Sequence, residues 1–425
     1  MRILILVDCY YPNAKSCAKF VHDLGVELYR RGNQILILTP SESVCESLVT
    51  SMEDDLLVAR VKAGKIKGAN NAVRALNEIQ LSTNLWRRAK HFLSENRCDL
   101  ILFYSPTIFF GPLVRKLKSL WRCPAYLILR DIFPEWAVDA GILRKGFVYR
   151  FFRRMETYQY QTADLIAVQS PSNLEYFARA FPGNQYRLKV LYNWALLAEI
   201  DLPPTNWRAR LGLEEKTVFF YGGNIGVAQD IDNLFRLAVR FAQRTNIHFL
   251  LVGSGTEMAR LNNSIATQGL RNIQVLPAVS QKEYLSMISE FDVGLISLEA
   301  RLKTHNIPGK LLSYLYWGLP VLASVNPGND LFDILNGNRA GFCCVNGDDE
   351  SLVMAAQKLV DDPDLRSEMG GNARQLLERT FSVREAAEHI LAHIQEEGFV
   401  FPKVTSQVPM RSSPLRQQPE LVRES

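Results

Sequence analysis

The 425-residue chain has little cysteine and histidine arranged for metal. Its seven cysteines (Cys9, Cys17, Cys45, Cys98, Cys123, Cys343, Cys344) include no C-x-x-C pair, and its six histidines are scattered, so the spacing offers neither a zinc site nor a disulfide framework. A reducing, cytoplasmic setting is expected. No apolar run approaches the roughly 18–20 residues that span a bilayer. The opening run Ile3–Val7 is also too short for the h-region of a signal peptide. A P-loop is missing as well, because no Gly-Lys pair is followed by Ser or Thr.

What is present is an ordinary folded composition, 47% hydrophobic and 22% charged, in a chain longer than one core usually supports. The net charge of +5 is unevenly distributed: residues 1–200 hold 27 Lys and Arg against 18 Asp and Glu, and residues 85–160 hold 14 against 6. Such a surface favours an anionic partner.

Short apolar runs alternate with helix-length segments in both halves, the rhythm of βα units around parallel sheets. Strands are predicted at 2–7, 34–39, 56–60, 99–104, 125–130, 164–169 and 188–191. A second set is predicted at 218–221, 248–252, 273–276, 293–297, 320–323 and 342–345. The fold class is therefore α/β, with two doubly wound domains, 1–200 and 201–394, facing a cleft. Pro203-Pro204 marks the boundary, because proline fits neither a helix interior nor a central strand. Residues 395–425 lack apolar periodicity and are expected to be disordered.

Two glycine turns follow strands of the second half, Gly222-Gly223-Asn224 and Gly253-Ser254-Gly255. Such turns let backbone N–H groups approach a phosphate, although glycine is also common in turns of no special function. Downstream, Pro308-Gly309-Lys310 suits the start of a helix, where a lysine in the first turn is unfavourable unless it meets an anion. Phosphate contact by Lys310 and plain solvation are the competing readings.

The series YGGNIG, LLVGSGTEMARL, FDVGLISL and IPGKLLSYLYWGLPVLAS resembles the nucleotide-sugar domain of the retaining family 4 glycosyltransferases, which have the GT-B fold. YYPNAKSCAKFVHDLGVELYRRG, LILRDIFPEWAVDAGIL and ADLIAVQSPSNLEYF resemble the acceptor domain of that family, so the likeness runs from residue 1 to about 395. DIFPEWA and IPGKLLSYL are closest in form to enzymes of bacterial O-antigen and capsule assembly, such as the L-fucosamine transferases. The resemblance implies metal-independent transfer, with no cofactor, from a nucleotide-sugar donor to a polyprenyl-diphosphate-linked sugar acceptor.

The departures are informative. The Glu-x7-Glu pair of many relatives falls on His305 and Ser313, and their basic diphosphate-binding pair falls on Asn224 and Gln229. Lys310, with the turn amides, is then the expected anion clamp, and Glu299 a fallback carboxylate or a merely solvated one. Arg130-Asp131 reads as an ion pair at a strand end, either touching sugar or bracing its loop. Asp131, Arg130 and Lys310 are the candidate catalytic residues. Gly222, Gly223, Asn224, Gly253, Gly255, Glu299, His305, Pro308, Gly309 and Ser313 are the candidate donor-binding residues, and Asn13, Lys15 and Ser16 a cleft loop. The basic-aromatic stretches between 114 and 155 suit an anionic inner-membrane surface, or else bury Phe147, Phe151 and Met155 in the core at helical spacing. With no aromatic stacking module, nucleic acid is not expected. Two alternatives stay open: an epimerase of UDP-N-acetylhexosamine, and a catalytically silent subunit that binds nucleotide sugar.

Overall fold

The computed structural model describes residues 1–12, 16–64, 77–200, 202 and 205–399. Pro203 and Pro204, and the predicted tail beyond 399, lie outside them.

Among the described residues, the first sheet has eight strands: β1 (Arg2–Leu6), β2 (Gln34–Ser41), β3 (Leu48–Glu53), β4 (Leu56–Lys62), β5 (Leu100–Tyr104), β6 (Ala125–Ile128), β7 (Leu165–Val168) and β8 (Leu188–Val190), in the order β3-β4-β2-β1-β5-β6-β7-β8. The second has six: β9 (Thr217–Asn224), β10 (Ile247–Ser254), β11 (Ile273–Pro277), β12 (Val293–Ser297), β13 (Val321–Val325) and β14 (Gly341–Val345), in the order β11-β10-β9-β12-β13-β14. Helices cover the sheets, so strands such as β1 and β5 are buried on both faces and read as unbroken apolar runs. Two Rossmann-like α/β domains result.

Every strand expected from the sequence is present, and β3 is added. It pairs antiparallel with β4 through Asp54-Asp55, both left-handed at φ 47° and 64°. That backbone suits a two-residue hairpin, in which Asp is tolerated at positive φ. The Glu53 carboxylate bonds Arg60 across the pair, while β3 itself is half-exposed and polar, with no apolar run to announce it.

Helix Val383–Glu396 packs Ala386, Ala387 and Ile390 into the same cluster as Val21, Leu24 and Leu28 of helix Ser16–Arg30. His393 there meets the Tyr126 hydroxyl at 2.9 Å, and Glu396 pairs with Lys189 at 2.7 Å. The last described helix is thus fastened to the first sheet.

Candidate active site

The two glycine turns stand side by side because β9 and β10 pair in register, Gly223 opposite Gly253. A Cβ on Gly253 would lie 1.8 Å from the Gly223 carbonyl oxygen, and one on Gly255 would lie 2.1 Å from that of Ile225. These two glycines therefore let one turn lie directly on the other. Gly223, at φ +127°, takes a backbone closed to other residues. The Gly222 N–H donates to the Tyr314 hydroxyl at 3.2 Å, which donates to the Leu295 carbonyl at 3.2 Å.

Helix Lys310–Tyr316 buries Leu311, Leu312, Tyr314 and Leu315, and that fixes its roll. Pro308 and Gly309 precede it rather than opening it: their carbonyls accept from Leu311 and Leu312 N–H at 3.0 and 3.2 Å, a tight lead-in that ends at Lys310. Lys310 then extends along the first glycine turn. Its Nζ lies 3.3 Å from the centroid of the Tyr221 ring, and a Cβ on Gly223 would stand 3.5 Å from its Cε. Among the described residues, no carboxylate lies within ion-pair distance of Lys310. Burial pushes its pKa well below the usual lysine value. A desolvated ammonium with only an aromatic face as partner is poised for an anion. Ser313 lies near the hydroxyl of Tyr284, whose ring closes over Gly222.

The segment leading to Lys310 is held by the first domain. Asp139 accepts from the Lys303 N–H at 3.0 Å, Asn173 Nδ2 donates to the His305 carbonyl at 3.1 Å, and Gln169 Nε2 donates to the Ile307 carbonyl at 2.8 Å. Asn193 Nδ2 reaches the Ile307 carbonyl at 3.4 Å. Farther along, the Ser172 hydroxyl donates to Asp330 at 2.9 Å. None of the first-domain partners, Asp139, Gln169, Ser172, Asn173 or Asn193, is among the candidates read from sequence. The available signal was a polar residue just past an apolar strand, as in LIAVQ for Gln169. The His305 ring turns to the Pro327 carbonyl at 3.3 Å and to Gly328, leaving Nδ1 buried without a partner, and burial lowers its pKa.

Other candidates are already occupied. Asn224 Nδ2 donates to Gln229 Oε1 at 2.7 Å, so the two positions where the resemblance expects a diphosphate-binding pair bond each other. Glu299 forms an ion pair with Arg301 at 3.0 Å, and this hydrogen bond holds its carboxyl below the usual range. The expected Arg130–Asp131 ion pair does not form. The Arg130 guanidinium instead donates to the carbonyls of Leu191 and Tyr192 and lies over the Trp194 ring at 5.1 Å, partners that draw it toward the end of β8. Asp131 keeps a pKa raised by burial, opposed by Arg130 and reinforced by Asp8. Asn13 and Lys15 lie outside the described residues, as does the side chain of Ser16.

Residues 204–376 match the family model described as Glycosyl transferases group 1, and residues 17–194 match Glycosyl transferase 4-like domain. The chain is 24% identical over 273 residues to WbjE of Pseudomonas aeruginosa, named as a probable glycosyltransferase, across 63% of this chain and 67% of that protein. It is 26% identical over 230 residues to WcaI of Escherichia coli (strain K12), whose name assigns it provisionally to colanic acid biosynthesis. That match covers 52% of this chain and 56% of WcaI, so the chain spans about half of that relative. Among solved structures, sucrose-phosphate synthase from Thermosynechococcus elongatus superposes with a TM-score of 0.72 at 17% identity, covering 93% of this chain and 99% of that one. Anabaena HepE in complex with UDP-glucose superposes at 0.66 with 16% identity, covering 93% and 100%. The chain carries both glycosyltransferase domains on one GT-B frame.

Proposed function

We propose that this chain, a glycosyltransferase with a 4-like domain followed by a group 1 domain, moves a sugar from a nucleoside diphosphate donor to a lipid-linked acceptor in polysaccharide assembly, with retention. The donor of this reading is a UDP-linked deoxy-aminosugar or N-acetylhexosamine, and the acceptor is a polyprenyl-diphosphate-linked sugar. The domains divide near residue 200, with the acceptor on the first and the nucleotide on the second. The observation that carries the reading is Lys310: a desolvated side chain with no carboxylate within ion-pair distance among the described residues, laid along the Gly222-Gly223 turn.

As the glycosidic bond to the diphosphate breaks, negative charge grows on the leaving oxygen while the sugar becomes oxocarbenium-like. Lys310 and the turn amides other than that of Gly222, which is committed to Tyr314, are the donors for that charge in this reading, and preorganised charge stabilisation is the main catalytic term. Ser313 lies beside them for the donor sugar. Asp131, on the facing domain, is placed to accept a hydrogen bond from a sugar hydroxyl. Arg130 acts through position, locking the end of β8 beneath that loop.

The membrane reading gains support from a corrected expectation. Phe147 and Phe151 do not enter the core: Phe147 is 85% exposed, and Ile142 and Val148 are exposed beside it. Met155 is only half-buried. Arg150 stacks on Phe147 at 4.5 Å, and a groove of about 470 Å³ along helix Phe147–Thr162 is lined by Arg150, Arg153 and Arg154. Exposed apolar groups among arginines fit peripheral attachment to an anionic inner leaflet. Among the described residues, no helix is long and apolar enough to cross a membrane.

The test is calorimetric binding of UDP together with consumption of a UDP-sugar panel in the presence of membrane lipid. A catalytically silent subunit, favoured by His305 and Ser313 standing where relatives have glutamates, would bind UDP-sugars without consuming any.

A further inference from the structure

The end of β1 and the start of the helix after it bring Cys17 to the adjacent pair Asp8-Cys9. Asp8 and Cys9 follow β1, and Cys17 is the second residue of helix Ser16–Arg30. Their ligand atoms, one carboxylate oxygen and two Sγ, all lie within 4.8 Å of one another. Cys9 is buried, and Asp8 and Cys17 are half-buried. Among the described residues, this is the one group of three or more metal-ligating side chains so placed.

We propose that Asp8, Cys9 and Cys17 bind a divalent cation of the zinc class. A tetrahedral ion with Zn–S and Zn–O bonds of ordinary length holds its ligand atoms ~3.6–3.8 Å apart, a spacing reached from 4.8 Å or less by small side-chain rotations. Two thiols with one carboxylate select a borderline-soft ion; calcium and magnesium call for oxygen cages. Coordination releases the two thiol protons to solvent and fastens the start of helix Ser16–Arg30 to the end of β1. Three protein ligands leave a fourth position for water. Asp8 lies near enough to Asp131, and Cys17 to Tyr104 at the end of β5, for their charges to interact. A cation there offsets the Asp8 charge beside Asp131. The proposal does not depend on the glycosyl-transfer reading.

The test is titration of the chelator-treated full chain with Co²⁺, followed by displacement with Zn²⁺. One Co²⁺ per chain, with tetrahedral visible bands and a thiolate-to-cobalt charge-transfer band in the near ultraviolet, is the expected result. Cys9→Ser and Cys17→Ala each cut the charge-transfer band to about half or less, Asp8→Asn weakens binding about tenfold, and Cys45→Ser, at an exposed thiol, changes nothing. If Cys9→Ser fails to fold, Cys17→Ala and the wild-type titration still decide. Absence of the band in the wild type, or a band of undiminished intensity in Cys17→Ala, overturns the proposal.

Discussion

Gln169, one residue past β7 of the first sheet, donates from Nε2 to the carbonyl of Ile307 at 2.8 Å, three residues before Lys310 in the second domain. The bond is buried, so breaking it leaves the carbonyl with only the longer 3.4 Å bond from Asn193. The first domain therefore helps to set the position of the proposed anion clamp. Gln169→Ala is expected to cost about 1–3 kcal/mol in stability. Donor turnover falls about tenfold while UDP affinity changes less than twofold, and a purely structural role would leave turnover per folded molecule unchanged.

Burial holds the Lys310 pKa well below its usual value, so part of the ammonium charge is restored only when an anion arrives. UDP binding should then take up protons at alkaline pH, seen as a dependence of the calorimetric enthalpy on buffer ionisation. Lys310→Met removes that dependence. Equal enthalpies in phosphate and Tris for the wild type would rule out proton-coupled binding at this lysine.

Gly253→Ala should be among the most damaging single-methyl changes in the chain. Its Cβ would sit 1.8 Å from the Gly223 oxygen, a contact between backbones that no rotamer change relieves. A loss of more than about 3 kcal/mol, read by denaturant unfolding, is expected. Gly269→Ala serves as a comparison: at φ +61° with nothing within 4 Å of the added methyl, it should cost about 1 kcal/mol.

His393 has its pKa lowered from 6.5 to about 4, first by burial and then by His389 and Lys189. The folded state resists protonation where the unfolded chain accepts it. This contribution to stability is therefore present above pH 6.5 and is lost as pH falls toward 4. The effect is on the order of 2–3 kcal/mol. His248, lowered to about 4 by burial, adds a loss of the same sign. His393→Gln should flatten part of the acid limb in a thermal-melt series. An identical pH profile would assign the acid loss to other groups.

Replacing Phe147, Arg150 and Arg154 together with Ser, Gln and Gln removes exposed apolar and basic groups without touching the core. Sedimentation with vesicles rich in anionic phospholipid at low salt should drop several-fold, and high salt should weaken what remains. Sedimentation equal to wild type would reject the membrane surface.

The parallel strands were legible because burial on both faces writes them as unbroken apolar runs, and the glycine turns because their glycines are fixed by backbone contacts. Lys310 was legible as an anomaly, a cation in a helix's first turn. The half-exposed, polar β3 carried no such run. Gln169, Asn173 and Asn193 were not legible: their role is a pairing across domains, and a lone polar residue after a strand looks like any loop entry. Phe147 and Phe151 misled because the i, i+4 spacing that marks a buried stripe also marks an exposed one, and only packing tells them apart.

The central claim, that Lys310 stabilises a departing nucleoside diphosphate, is tested most directly by measuring UDP release from a UDP-sugar panel with polyprenyl-diphosphate-linked acceptor for wild type and Lys310→Ala. Wild-type turnover of at least one donor, a loss of about 10–100-fold in Lys310→Ala, as for a charge-assisted hydrogen bond, and unchanged thermal unfolding of the variant are the predicted results. Equal rates for the two proteins would contradict it.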